Sequence, residues 1–140
     1  MDHSNIEILF KKVRDAVSTP ALFNWPDEQI KLELQLSKFH LSQALDGTLQ
    51  AFIAHRVSAD FVEIMALGTD PRFVKKGLML SLLKNFVQKF SSQGLQITLE
   101  VHEHNSPALS LYLRCGFKEV RRRSLYYKDG AAAVVMTASS

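Results

Sequence analysis

The chain has 140 residues, 46% of them hydrophobic, with a single cysteine and a formal net charge of +3. That length points to one compact domain over residues 1–140, and the apolar share is too high for a disordered chain. Cys115 alone excludes an internal disulfide and, with no signal-peptide pattern, points to the cytoplasm; no apolar run reaches the roughly 18 residues of a membrane span, and the mild charge does not argue for nucleic acid.

Ile6, Leu9, Phe10, Val13 and Val17 recur at helical spacing behind Ser4 and Asn5, which suit an N-cap, and Thr19-Pro20 ends that helix. Trp25-Pro26-Asp27-Glu28 opens a second helix, with proline and two acids in its first turn. Ile30, Leu32, Leu34 and Leu36 alternate as in a strand, but Lys31, Glu33 and Gln35 between them favour helix, and helix is the assignment kept. Residues 38–57 read as a hairpin around Asp46-Gly47, a dipeptide suited to a tight turn with positive φ. A strand follows over residues 61–67, ending near Gly68.

The next stretch, DPRFVKKGLMLSLL, runs a turn signal, two lysines and a glycine into the clearest amphipathic helix of the chain: Met79, Leu82, Leu83, Phe86, Val87 and Phe90. Gly94 closes its turn. Leu95, Ile97, Leu99 and Val101 then alternate with polar residues as a half-buried strand. Asn105 caps a short helix that has Pro107 near its start and Gly116 past its end. Residues 117–123 and 131–137 form closing strands, joined by a loop with Tyr126, Tyr127 and Asp129-Gly130. The dense basic run at 121–123 reads as a solvated strand face.

A right-handed crossover makes the strands ending at Leu67 and Val101 parallel neighbours, with ligands expected at their C-terminal ends. Residues 74–79 and 100–105 should therefore face one cleft. Free N–H groups at the long helix's start, Lys75, Lys76 and the bare backbone of Gly77 suit an anion, although an ordinary helix start fits the same residues. The pattern G-x-x-x-x-G-K-[ST] is absent, which argues against an ATP-type loop. Glu100, on the polar face at its strand's end, is placed either to take a proton from an ammonium or simply to be solvated. Tyr112, two turns into the short helix, is placed either to donate a proton to a leaving group or to pack. His102-Glu103-His104 offers two histidines and no third ligand, a weak metal motif. Cys115 reads as a small buried side chain rather than a nucleophile.

The stretches DPRFVKKGLMLSLL and LQITLEVHEHNSPALSLYLRCGF resemble the core of the GNAT superfamily of N-acetyltransferases. The second is the more specific, combining L-E-V, an asparagine at a helix start and A-x-x-L-Y-x-x-x-G-F. RRRSLYYKDG before AAAVVM, and LFNW near the start, are similar to the bacterial ribosomal-protein-alanine acetyltransferases. The resemblance covers residues 22–136. It implies an α/β (α+β) fold: a mixed, mostly antiparallel sheet with a central parallel pair splayed around the cofactor, and helices on both faces.

It also implies acetyl-coenzyme A as co-substrate and no metal. Lys75, Lys76, Gly77, Leu78, Met79 and Leu80 would hold the pyrophosphate. Leu67, Gly68 and Thr69 would meet the pantetheine arm and thioester, and Asn105 would contact the cofactor. Glu100 would be the general base and Tyr112 the general acid. The implied acceptor is a protein N-terminus, that of a ribosomal protein for instance, with Phe23, Trp25, Tyr126 and Tyr127 lining its groove; Trp25 fits the core equally well.

The chain departs from the family at Val74, at Met79 in place of a small residue, and at Ala131 and Ala132 in place of an acidic pair. The family's first strand would precede Met1, which would leave a sheet edge open. A small-molecule amine as acceptor, and a non-catalytic acyl-CoA-binding regulatory domain, are the competing expectations. Oligomeric state, a homodimer included, is left open.

Overall fold

A computed structural model describes residues 3–16 and 25–139. Phe23, Val17 and Thr19-Pro20 lie outside the described residues. Helix α1 (Ser4–Ala16) buries Ile6, Leu9, Phe10 and Val13 on one stripe. His3 supplies its first carbonyl, accepting from the Glu7 N–H at 2.8 Å, so Ser4 and Asn5 sit inside the first turn rather than capping it. Helix α2 (Asp27–Leu36) settles the ambiguous stretch. Ile30 and Leu34, four apart, are buried, whereas Leu32 and Leu36 are about half exposed. The helical period decides, because Glu33 also turns inward and its carboxylate takes hydrogen bonds from Arg56 and Ser37.

Strands β1 (Lys38–Gln43), β2 (Leu49–Val57), β3 (Phe61–Thr69), β4 (Gln96–His102), β5 (Lys118–Arg123) and β6 (Ala133–Ala138) form one sheet in the order β1-β2-β3-β4-β6-β5. All neighbours are antiparallel except β3 and β4. Helices α3 (Leu78–Ser91) and α4 (Ser106–Arg114) complete the described α-helices.

The sheet separates two cores. Alternate residues of β2 feed opposite sides: Phe52 and Ala54 join Phe10, Ile30 and Leu34 under α1 and α2, while Ala51 and Ile53 join Leu83, Phe86, Ile97, Leu99 and Tyr112 under α3 and α4. Burial on both faces is why β2 carries the apolar run AFIA rather than strict alternation. Each large fully buried side chain, such as Phe52 or Phe86, contributes about 1.5–3 kcal/mol.

Two backbone features place the functional region. First, α1 lies so close to β3 that only glycine fits at position 68: a Cβ there would sit 2.3 Å from Val13 Cγ1. Second, β3 and β4 pair only through Phe61, Val62 and Glu63 against Gln96, Ile97 and Thr98. Beyond that point they diverge, and the edge of β3 toward β4 loses its ladder partner over residues 64–69. Backbone polar groups on that edge are left facing a gap.

Candidate active site

Asp70 anchors the loop that leaves β3. Its carboxylate accepts from the Arg72 backbone N–H at 2.9 Å and from Arg72 Nη2 at 3.0 Å, capping a short 3-10 turn (Pro71–Phe73). The Arg72 hydrogen bonds hold the Asp70 carboxyl below the ordinary carboxylate range. The chain then turns through Lys75 and Gly77, both left-handed at φ 63° and 74°. Gly77 caps α3 without a side chain, so the first-turn N–H groups have neither an intrahelical carbonyl nor a capping side chain.

These N–H groups face a cavity of ≈ 320 Å³, walled by Thr69, Lys75, Gly77 and the first turn of α3, and opposite them by Ser110 and Arg114 of α4. Cations from both walls and the positive end of α3 suit a phosphate-bearing ligand. Met79 lies inside α3, where glycine is not needed for conformation, and packs against the core below while its outer side reaches this cavity. The Lys76 ammonium lies instead over the Phe73 ring, 5.8 Å from its centroid.

The gap between β3 and β4 opens into a larger cleft of ≈ 850 Å³. Leu67, Glu100, Asn105 and Tyr112 line it, as do Trp25, Tyr126 and Tyr127. Asn105 also caps α4, accepting from the Ala108 N–H at 3.3 Å. Glu100 is paired with Arg123, Oε1 to Nη2 at 3.0 Å. Arg123 reaches it across β6, where its neighbour is the small Ala133, and its guanidinium also lies 5.7 Å from the Tyr126 ring centre. The basic run is therefore not simply a solvated face: although β5 is exposed along its length, Arg123 reaches the cleft and Arg122 pairs with Glu119 at 3.1 Å.

Tyr112 is buried, and burial, with Tyr127 and Cys115 nearby, pushes its phenol well above the usual tyrosine range. Tyr127 is pushed up to about 12 by burial and then by the negative charge of Glu100. Both phenols therefore stay protonated at neutral pH, and each carries an O–H. Trp25 lines the cleft and also packs, tilted, on the core ring of Phe10, 5.3 Å between ring centres.

The single cleft expected from sequence is resolved into two cavities that share walls. β3 gives Thr69 to one and Leu67 to the other, and α4 gives Arg114 to one and Tyr112 to the other. Gly68 and Lys76 line neither. His102 and Glu103 have partners within the protein: His102 Nε2 meets Asp129, and the Glu103 carboxylate accepts from the Ala132 N–H. Among the described residues no group of three or more His, Cys, Asp or Glu could hold a metal, and no helix is long and apolar enough to cross a membrane.

Sequence reasoning missed Arg123, Ser110 and Arg114. For the α4 pair a signal existed, since Pro107, Ser110, Leu111 and Arg114 recur at i, i+3, i+4 and i+7 and form the stripe that faces α3.

Comparison with known proteins supplies the wider setting. The FR47-like protein family profile matches residues 44–126. The chain is 30% identical to the [Ribosomal protein bS18]-alanine N-acetyltransferase of Escherichia coli K12 over 103 residues, which is 71% of this chain and 68% of that protein. The crystal structure of the ribosomal-protein-S18-alanine N-acetyltransferase from Escherichia coli superposes with a TM-score of 0.79 at 24% identity, covering 99% of this chain and 89% of the other. The NatC complex bound to Gag peptide and CoA gives a TM-score of 0.74 at 18% identity, with coverage of 100% and 92%. With a six-stranded mixed sheet, one splayed parallel pair and a loop-capped helix beside the gap, the chain belongs to the FR47-like family of GNAT acetyltransferases.

Proposed function

We propose that this acetyltransferase carries the acetyl group of acetyl-coenzyme A to a protein N-terminal α-amino group, with Glu100 as general base and Tyr112 as general acid. The observation that carries this reading is their placement. Both line the cleft where β3 and β4 part, next to the cation-flanked start of α3. The relative named for the alanine of ribosomal protein bS18 favours a protein N-terminus over a small amine.

In this reading the pyrophosphate binds the first-turn N–H groups of α3, residues 78–80, together with the Gly77 backbone and Lys75, with Arg114 opposite. The amide-bearing pantetheine arm lies along the unpaired edge of β3 at Leu67 and Thr69, whose ladder groups have lost β4 as partner. Gly68 lets that strand run under α1, and Lys76 adds charge from outside the cavity wall. Asn105 faces the cofactor from the start of α4. The thioester carbonyl then falls at the gap, beside Glu100 and Tyr112.

An α-amino group has a pKa of about 7.7–8.0 and is mostly protonated at neutral pH, so a base is required before attack. Glu100, three-quarters buried and held in place by Arg123, takes that proton directly or through one water. The nitrogen forms a bond to the thioester carbon while backbone donors of β3 meet the developing oxyanion; the nitrogen then gives up its second proton to solvent and the carbon–sulfur bond breaks. Tyr112, protonated throughout the working range, supplies the proton and hydrogen bond to the departing sulfur and regains a proton from solvent. Trp25, Tyr126 and Tyr127 form the walls for the peptide.

The test is a panel of acceptors followed by coenzyme A release. Peptides with a free N-terminal alanine should give kcat/KM at least ~100-fold above polyamines and free amino acids, the scale of a few kcal/mol of groove binding. A preference in the opposite direction would overturn the choice of acceptor.

A further inference from the structure

We propose that His102 and Asp129 are positioning residues for the acceptor: together they fasten the loop between β5 and β6 so that Tyr127 stands as a fixed wall beside Glu100. The inference rests on the reading that the ≈ 850 Å³ cleft takes the acceptor.

His102 ends β4 two residues after Glu100, so both side chains leave the strand on the same face. The imidazole is almost fully buried. Its Nδ1 accepts from the His104 N–H at 3.1 Å, which leaves Nε2 as the protonated nitrogen. That nitrogen donates to Asp129 Oδ2 at 2.7 Å. The other carboxylate oxygen of Asp129 accepts from the Ala131 N–H at 3.0 Å. One face of the ring carries Tyr127, stacked at 4.7 Å and 30°, and Tyr126 stands edge-on to Tyr127 at 5.1 Å.

The loop's own hydrogen bonds are local. The Tyr127 N–H donates to Ala131 O at 3.1 Å and the Gly130 N–H donates to Tyr127 O at 3.0 Å. These close a turn but do not hold it against the sheet. Glu103 anchors only the loop's far end, its N–H donating to Ala132 O at 3.0 Å and its carboxylate accepting from the Ala132 N–H. The tie at the middle of the loop is His102–Asp129, 27 residues apart in sequence. A charge-assisted hydrogen bond at a nearly dry imidazole is strong enough to set that position. The arrangement fixes the distance between Tyr127 and Glu100, and with it the width offered to the residue that carries the amine.

The experiment compares wild type with Asp129→Ala and His102→Gln, whose side-chain amide keeps an N–H donor at similar reach. Asp129 is exposed enough that its removal spares the core. Asp129→Ala should raise the acceptor KM about tenfold, the scale of one lost charge-assisted bond, with the acetyl-CoA KM within about twofold and kcat within about threefold. Amide exchange at Tyr127 and Gly130 should quicken, while the amides of β6 stay protected. His102→Gln should bring the acceptor KM back to within about threefold of wild type.

Faster exchange with an unchanged acceptor KM would overturn the inference, as would a joint rise of both KM values, no change in either readout, or a raised acceptor KM with unchanged exchange, since Asp129 itself lines the cleft and would then touch the acceptor directly. If wild type acetylates small amines and no peptide, the acceptor reading fails separately. The same KM comparison then runs on the amine that is used.

Discussion

Replacing Gly68 by alanine would drive a methyl group into α1. The added Cβ would lie 2.3 Å from Val13 Cγ1, 3.0 Å from Cγ2 and 3.1 Å from Val13 Cβ. Carbon atoms prefer about 3.5–4.0 Å, so side chain or helix must retreat by about 1 Å or more. Val13 cannot swing aside freely, because a β-branched residue in a helix has one strongly preferred rotamer. Overpacking of this kind costs about 1–3 kcal/mol. At about 3 °C per kcal/mol for a chain of this size, Tm should fall by about 3–9 °C.

Thermal unfolding of Gly68→Ala, Val13→Ala and the double variant forms a cycle. Val13→Ala leaves a cavity and carries its own cost, but the added methyl then has room, so the double variant should lose at least about 1 kcal/mol less than the sum of the singles. Acetyl-CoA affinity measured well below Tm should stay close to wild type. An unchanged Tm with a large loss of cofactor affinity would refute the reasoning and return Gly68 to a direct role at the cofactor. Strict additivity would show that Val13 is not what the methyl meets.

Met79→Gly should lower stability by about 1 kcal/mol from helix propensity alone, with acetyl-CoA affinity within about twofold; a large gain in affinity would show that the methionine obstructs the site. His55 is buried between Phe86 and Phe90, its ring centroid 4.9 Å and 5.4 Å from theirs, and burial lowers its pKa below the ordinary histidine value. As pH falls through about 6.5 the unfolded chain takes up a proton that native His55 refuses, so stability should fall until the native pKa is passed. His55→Gln should flatten the change in Tm between pH 7 and pH 5.5, leaving the part due to His40, which is lowered for the same reason. An undiminished slope would place the titration elsewhere.

Much of the scaffold was legible because single elements carry their own signals. The stripe from Met79 to Phe90, the alternation of Ile97, Leu99 and Val101, the cap at Asn105 and the turn at Gly47 are all local, and each element formed where expected. Ile30 to Leu36 was ambiguous because alternating leucines satisfy a strand and, at every second position, a helix. The inward Glu33, bonded to Arg56 of β2, could be seen only once both elements were placed.

The site divides in the same way. That Glu100 and Tyr112 line one cleft follows from a strand end and a position two turns into a helix, and the charged groups around them follow from neither. Arg123 meets Glu100 only because β6 inserts between β4 and β5 and carries the small Ala133 there, which is a fact of sheet order. His102 reads as half of a weak metal motif until the β5–β6 loop brings Asp129 to it. Gly68 carries no local sign of its reason, since the collision it avoids is with a side chain 55 positions earlier on another element.

The central claim is that Glu100 removes the acceptor's proton and does not hold the cofactor. Single-turnover acetylation of an N-terminal alanine peptide by Glu100→Gln, alongside acetyl-CoA binding by calorimetry, tests it most directly. The expected result is a rate reduced by about 10²–10⁴ with the acetyl-CoA Kd within about twofold, since general base catalysis contributes on that scale. An unreduced rate, or a parallel loss of cofactor binding, would contradict the account.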